Sequence, residues 1–229
     1  MRYYPTFLDL HGRRCLVVGA GEVGRRKLAS LLAADPAEVL VLDLFPLSET
    51  ADPELNLLME HPATVYEQRP FTAADVQGCA LVFACTGNRA VNNAVAKACA
   101  ENNVLCNVID APEEGNFVVP AHFANGDLLV ALGTGGSSPA LARRIRMELQ
   151  TCLGDRFTGI LTLMGRLRPM VLALGKETRH NSTLFRNLAE SGLTQALQEK
   201  NRAEAERILT ELLPAELHTN IGALLHELA

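Results

Sequence analysis

The run Gly19-Ala20-Gly21-Glu22-Val23-Gly24 constrains this chain more than any other feature, because it fits G-x-G-x-x-G and stands between a strand-like and a helix-like segment. Each glycine has a task in such a loop. The first makes a tight turn, the second lets the backbone approach a diphosphate, and the third lets the helix pack close on the strand. The preceding run, Cys15 to Val18, reads as a first strand. Glu22 to Ala34 reads as a helix with Val23, Leu28, Leu31 and Leu32 on its apolar face. Free amides at the start of that helix favour a negative diphosphate. Asp43 ends a second strand, Val39 to Leu42, at about the 20-residue distance where a carboxylate accepts hydrogen bonds from ribose hydroxyls. That favours NAD over NADP, with Gly19, Gly21, Glu22, Val23, Gly24, Asp43 and Leu44 as its expected contacts. The same residues also fit a glycine turn in a non-binding α/β domain with a surface aspartate.

Three further strands follow in the pattern, at Thr64 to Glu67, Ala80 to Ala84 and Val104 to Ile109, with a helix over Ala90 to Glu101. Strand, helix, strand alternation is the sign of a parallel sheet covered by helices, so the fold class is α/β of Rossmann type. Residues 46–62 are proline-rich and show little periodicity; they read as a loop with a short helix near Glu54 to Met59. Beyond Asp110 the texture changes. Phe117 to Phe123 and Leu128 to Leu132 read as strands joined at Asn125-Gly126, a favoured hairpin dipeptide. Ser138 and Pro139 then open a helix as N-cap and first residue, with Leu141, Ile145 and Leu149 on one face. Gly154 to Ala229 reads as helices broken at Pro169, Gly175, Gly192 and Pro214.

A chain of 229 residues, 48% of them hydrophobic, can bury one large core or two small ones. Its formal charge of −5 gives no general pull toward nucleic acid or acidic lipid, so an anionic ligand needs a local basic patch. The cysteines at 15, 79, 85, 99, 106 and 152 form no CxxC pair, and four lie in apolar runs, as reduced core thiols do. There is no signal-like apolar segment near Met1 and no run long enough to span a bilayer, so a cytoplasmic protein without membrane or nucleic-acid partners is expected. None of His11, His61, His122, His180, His218 and His226 lies at metal-ligand spacing from another, and no metal site is expected.

Chemistry is concentrated at the carboxyl ends of the expected strands, where doubly wound sheets open their ligand crevice. The fourth strand ends in Cys85-Thr86-Gly87-Asn88, which places Thr86 and Gly87 at the cofactor. Asn88 fits either a cofactor contact or the cap of the next helix. Asp110 closes the fifth strand, where a carboxylate can act as a base beside the bound dinucleotide. It also fits a turn residue before Ala111-Pro112.

Several of these runs together carry a resemblance. Tyr4-Pro5-Thr6-Phe7-Leu8-Asp9-Leu10, the VVGAGEVGRRK run from Val17 to Lys27, Asn92, the block Asn107 to Pro112, FVVPA from Phe117 to Ala121, and GTGGSSPALARRIR from Gly133 to Arg146 resemble the precorrin-2 dehydrogenase family of sirohaem synthesis. Members of that family also form the amino-terminal part of multifunctional sirohaem synthase. The resemblance spans roughly residues 4 to 150; the tail is similar only in being helical. It implies NAD-dependent oxidation of precorrin-2 to sirohydrochlorin, and in some members insertion of ferrous iron. The family's essential aspartate matches Asp110. Precorrin-2 carries acetate and propionate arms, and the turn Thr134, Gly135, Gly136, Ser137 and Ser138 at a helix start can hold one of them. Arg143, Arg144 and Arg146 add positive charge there, or simply face water.

The resemblance further implies a homodimer formed through the strand-rich segment, whose hairpin independently offers an uncovered edge. The expected parts are thus an NAD-binding Rossmann domain over 1–112, a dimerisation and substrate segment over 113–150, and a helical carboxyl-terminal domain over 151–229. Where many relatives carry two acidic residues after the fourth strand, this chain has Gly87-Asn88, which puts chelation more in doubt than oxidation. Two other readings compete: a non-catalytic NAD-sensing module, and a small-substrate dehydrogenase, which would usually show a catalytic His or Lys in its second domain.

Overall fold

A computed structural model describes residues 3–46 and 53–228, which form two compact units meeting in sequence at Val119 and Pro120. The first unit is built on five parallel strands: β1 (Arg14–Val18), β2 (Glu38–Asp43), β3 (Thr64–Gln68), β4 (Cys79–Ala84) and β5 (Leu105–Val108), in spatial order β3-β2-β1-β4-β5. Three helices join them, α1 (Glu22–Leu32), α2 (Pro53–Met59) and α3 (Arg89–Glu101). Central strands buried on both faces need apolar side chains at every position, and Cys15, Leu16, Val17 and Val18 are all buried. Cys15, Val17, Val39, Val41, Leu81 and Phe83 face α1; Leu16, Val18, Leu40, Leu42, Val82 and Ala84 pack with Val95, Ala98 and Cys99 of α3. The α/β Rossmann-type reading holds, with strand limits within one or two residues of those expected. The short helix near Glu54 to Met59 is α2; residues 47–52 of the expected loop lie outside the described residues.

Residues 113–119 belong to the first unit by packing. Asn116 lies along the outer edge of β5: its Nδ2 donates to the Val104 carbonyl at 3.0 Å and its Oδ1 accepts the Cys106 N–H at 2.7 Å, while its own N–H donates to the Cys106 carbonyl. An edge strand is thereby covered by one side chain and its backbone. Phe117 meets Phe83 edge to face, with centroids 5.8 Å apart. The strand expected over Phe117 to Phe123 accordingly begins only at Ala121. Its first half is held on the β4–β5 face by Phe117 and Val119, and Pro120 has no N–H to give a ladder.

The second unit contains the hairpin β6 (Ala121–Asn125) and β7 (Leu128–Leu132), then α4 (Pro139–Leu153), α5 (Thr158–Ala173), α6 (Thr178–Glu190), α7 (Leu193–Gln198), α8 (Arg202–Leu212) and the short α9 (Ile221–Leu224). Its core is a leucine cluster, with Leu163, Leu167, Leu188, Leu193, Leu209 and Leu225 fully buried. The hairpin turn is Gly126-Asp127, because Asn125 still pairs with Leu128 and spends its side-chain amide on the Gly154 carbonyl and the Asp155 carboxylate. Pro169 does not break the chain's helical path: it lies inside α5, pinned between buried Leu167 and Val171. The apolar stripe expected on α4 is only partly covered in this unit, with Ile145 and Leu149 half-buried. Leu141 is 50% exposed and Met147 53%, and Ala142 is the buried residue of that helix.

Of the six cysteines, all are free thiols and Cys15, Cys79, Cys99 and Cys106 are buried. A compact polar lock also supports the sheet's amino edge. Arg69 holds Asp75 with two guanidinium nitrogens at 2.7 and 2.9 Å, and the Thr72 N–H donates to the same carboxylate at 2.7 Å. These partners hold the Asp75 carboxyl below the usual carboxylate range, the Arg69 hydrogen bond being the largest cause. A depressed folded pKa contributes stability above the unfolded value and loses it as pH falls through the folded one. Asp75→Asn is therefore expected to be clearly less stable than the parent at pH 7, with the gap in urea-unfolding free energy closing below about pH 4.

Candidate functional site

The switch in strand order between β1 and β4 opens a crevice at their carboxyl ends. The ladder extends into the loops here: Gly19 N–H donates to Leu42 O at 2.8 Å, Cys85 N–H to Val18 O at 2.8 Å, and Ile109 N–H to Ala84 O at 3.0 Å. The loops after β1, β2, β4 and β5 are thus in one row along one edge.

Gly19 has φ +99°, and a Cβ there would lie 2.8 Å from the Cys85 carbonyl, so both backbone conformation and space demand glycine. At Gly24 a Cβ would meet Gly19 O at 1.8 Å; helix and loop touch backbone to backbone. Gly21 differs. It is the N-cap of α1 with no side-chain cap, and nothing lies within 4 Å of its would-be Cβ. The first-turn amides of α1, at Glu22, Val23 and Gly24, therefore front open space, which suits a diphosphate. Asp43 Oδ2 accepts the Ala20 N–H at 2.5 Å and Oδ1 the Leu44 N–H at 2.6 Å, which joins the end of β2 to the glycine loop. A carboxylate has about four acceptor positions, so capacity remains for a ribose hydroxyl. Tyr66 and Gln68 of β3 donate to the carbonyls of Phe45 and Leu44, leaving both apolar side chains exposed beside it.

After β4, buried Asn92 of α3 organises the loop. Its Oδ1 accepts from the Thr86 hydroxyl at 2.6 Å and from the Thr86 N–H at 3.2 Å, and its Nδ2 donates to the Thr86 carbonyl at 3.0 Å. Asn88 accepts from the N–H groups of Ala90 and Val91 and is the α3 cap, the second of its two sequence readings. A buried asparagine on an otherwise apolar helix face is the signal that points to such a lock. Asp110 is exposed at the end of β5 with φ +58°, and its carboxylate has no hydrogen bond or ion pair among the described residues. The loop after it is fixed by Glu114, which pairs with Arg89 at 2.7 Å, and by Gly115, where a Cβ would meet Cys106 O at 2.6 Å.

Residues 6–121 match the family model described as "Putative NAD(P)-binding". The chain belongs to this family. The chain also has curated relatives named "Siroheme synthase": one from Methylococcus capsulatus is 34% identical over 94% of this chain, and one from an Enterobacter species is 34% identical over 93%. The chain spans 44% and 46% of those relatives' lengths. The solved structure of "SirC, precorrin-2 dehydrogenase" has the same fold, with a TM-score of 0.71 over 92% of this chain and 98% of that one, at 23% identity.

The second unit holds the other expected contacts. Thr134 Oγ1 accepts the Ser138 N–H at 3.3 Å and donates to the Ser138 carbonyl at 3.2 Å, and Ser138 Oγ accepts the Leu141 N–H as the α4 cap. These two hydroxyls shape the turn itself, while Gly135, Gly136 and Ser137 lie at its outside. Arg144 pairs with Glu148 and Arg146 donates to Gln150, as on a solvated helix face. His122 is exposed, its ring at 3.1 Å from the Pro120 carbonyl.

Two glycine variants separate fold from ligand. Gly24→Ala is expected to destabilise the chain by about 1–3 kcal/mol or more, since backbone must move. Gly21→Ala is expected to change stability by less than about 1 kcal/mol. It should nonetheless weaken NAD by roughly tenfold or more, about 1.4 kcal/mol, because the methyl group enters the diphosphate space. Thermal melting and calorimetric titration with NAD check both.

Proposed function

We propose that this chain catalyses the NAD-dependent oxidation of precorrin-2 to sirohydrochlorin. The observation that carries the reading is Asp110: an exposed carboxylate, without a partner among the described residues, at the carboxyl edge of the sheet, with β4 alone between its strand and that of the glycine loop. The sirohaem synthase relatives and the fold shared with SirC support the choice of substrate.

In this reading the α1 amides and Asp43 orient the dinucleotide, and the Asp43 charge disfavours a 2′-phosphate, so NAD is preferred to NADP. Leu44 offers apolar surface beside the adenosine, and Asn92 presents Thr86 and Gly87 toward the middle of the cofactor. NAD, held by the α1 amides and Asp43, would supply the hydride acceptor for the substrate. Asp110 takes up the accompanying proton on a carboxylate oxygen as the macrocycle gains a double bond, so that one hydride and one proton leave together. The turn Thr134 to Ser138 serves an acetate or propionate arm through the amides of Gly135 and Gly136 and the Ser137 hydroxyl, the Ser137 and Ser138 amides being bonded within the turn.

The assembly in this reading is a cytoplasmic homodimer, with residues 113–150 supplying the dimerisation and substrate segment between an NAD-binding domain over 1–112 and a helical domain over 151–229. Its support is a two-stranded hairpin with no third strand among the described residues, flanked by exposed Leu129, Leu141 and Met147. A non-catalytic NAD sensor would have no use for a free carboxylate at that edge.

Anaerobic incubation with precorrin-2 and NAD is expected to yield NADH and the sirohydrochlorin spectrum. Asp110→Asn should lower kcat by about 10²–10⁴ while the NAD dissociation constant stays unchanged. Equal rates in parent and variant would remove Asp110 from the chemistry, and NAD binding without any NADH would leave only the sensor.

A further inference from the structure

Lys27 is a charged group on the helix of the glycine loop that the preceding assignments leave unused. It lies on α1 about 7.5 Å from the helix start at 1.5 Å per residue, on the side that faces the sheet. Helical side chains lean toward the helix amino end, so its long stem runs back toward the carboxyl edge. Its ammonium is 5.1 Å from the centre of the Phe83 ring on β4. Phe83 in turn meets Phe117, and Cys85, two residues after Phe83 on the same face, touches Gly19 through its carbonyl. The cation therefore lies on the α1 face at the β1–β4 switch point, within the first unit.

Lys27 is half-buried, and among the described residues no carboxylate pairs with it and no oxygen accepts from it. Burial is the main cause that lowers the ammonium's pKa, with Cys85 acting against it and Arg26 with it. The Phe83 face offers a cation–π contact. A half-desolvated charge held without a counter-ion is unfavourable for folding alone, where a lysine normally reaches solvent or an acid. It becomes favourable when an oxyanion arrives. The diphosphate already has the free amides of α1, which lie at the helix end and not over β4.

We propose that Lys27 is a substrate-binding residue that receives a carboxylate arm of the tetrapyrrole and so fixes the macrocycle's orientation in the crevice. This rests on the oxidation proposed above for the choice of a polycarboxylate ligand. The pairing is a point-charge contact that discriminates arms from ring edges, and it would hold the reacting face toward Asp110's edge of the sheet.

The test is equilibrium binding of uroporphyrin III, an octacarboxylate porphyrin, and separately of NAD, to the parent, Lys27→Met and Lys27→Arg, each with a thermal melt. Lys27→Met is expected to weaken the porphyrin about 10- to 100-fold, to leave NAD within about twofold, and to melt no lower than the parent; Lys27→Arg should recover most of the porphyrin affinity. Unchanged porphyrin affinity in Lys27→Met overturns the proposal, as does a parent that binds no porphyrin. Weakening of NAD to the same extent overturns it in favour of a diphosphate contact, and a lowered melting temperature with both ligands weakened overturns it in favour of a packing role. The two readings separate cleanly. A parent that binds porphyrin through Lys27 but produces no NADH from precorrin-2 loses the oxidation alone. A parent that turns over precorrin-2 while Lys27→Met binds porphyrin normally loses the lysine alone.

Discussion

The contact on which the first unit depends is backbone against backbone: Gly24 of α1 against the Gly19 carbonyl, and Gly19 against the Cys85 carbonyl. Without Cβ atoms the helix comes close enough for its amino end to reach the strand edge, and the β1 loop comes close enough to touch the β4 loop. The Asp43 bond to Ala20 adds β2 to the same junction. The amino end of α1, the Asp43 carboxylate and the Thr86 turn are thereby fixed relative to one another, largely by close backbone contacts. Such contacts leave little rotamer freedom to lose on binding, which is what a preorganised anion site requires.

The glycine spacing made this region legible from the amino-acid sequence, because steric need at Gly19 and Gly24 admits no other residue. The strands were legible for a related reason: a strand buried on both faces must be apolar throughout, and Cys15 to Val18 and Val39 to Leu42 are. Where one side chain does the work of a secondary-structure element, periodicity is silent. Asn116 replaces a ladder partner for β5, and nothing about an isolated asparagine in a loop announces that. Asn92 carried a signal, a buried amide on an apolar helix face, but its three bonds to Thr86 depend on a loop that only the fold brings near. Phe117 to Phe123 reads as one strand because apolar residues that cover a neighbouring sheet face have the same composition as those that pair in one. The α4 stripe shows the converse: Leu141, Ile145 and Leu149 have helical spacing, yet in the described unit Leu141 is exposed and the other two are only half-buried, so an apolar stripe announces a contact without saying which surface provides it.

Asp110 brings the turn reading and the chemical reading of one residue together. Its left-handed backbone, φ +58°, is unfavourable for most side chains by about 1 kcal/mol or more and tolerated best by Asn and Asp. A turn of that hand stops β5 and points the chain back toward Ala111, which is buried, and then to Glu114 and Asn116, which bind Arg89 and the β5 edge. The strain is thus held in place by contacts on both sides of the residue, none of which uses its carboxylate. The usual Asx bond to the N–H two residues on is closed to it, because that residue is Pro112 and has no N–H to donate. Here the carboxylate is left outward while the loop beneath it is fixed by other groups. That separation, rigid backbone and unengaged acid, is the physical condition under which a surface carboxylate can be directed at a ligand.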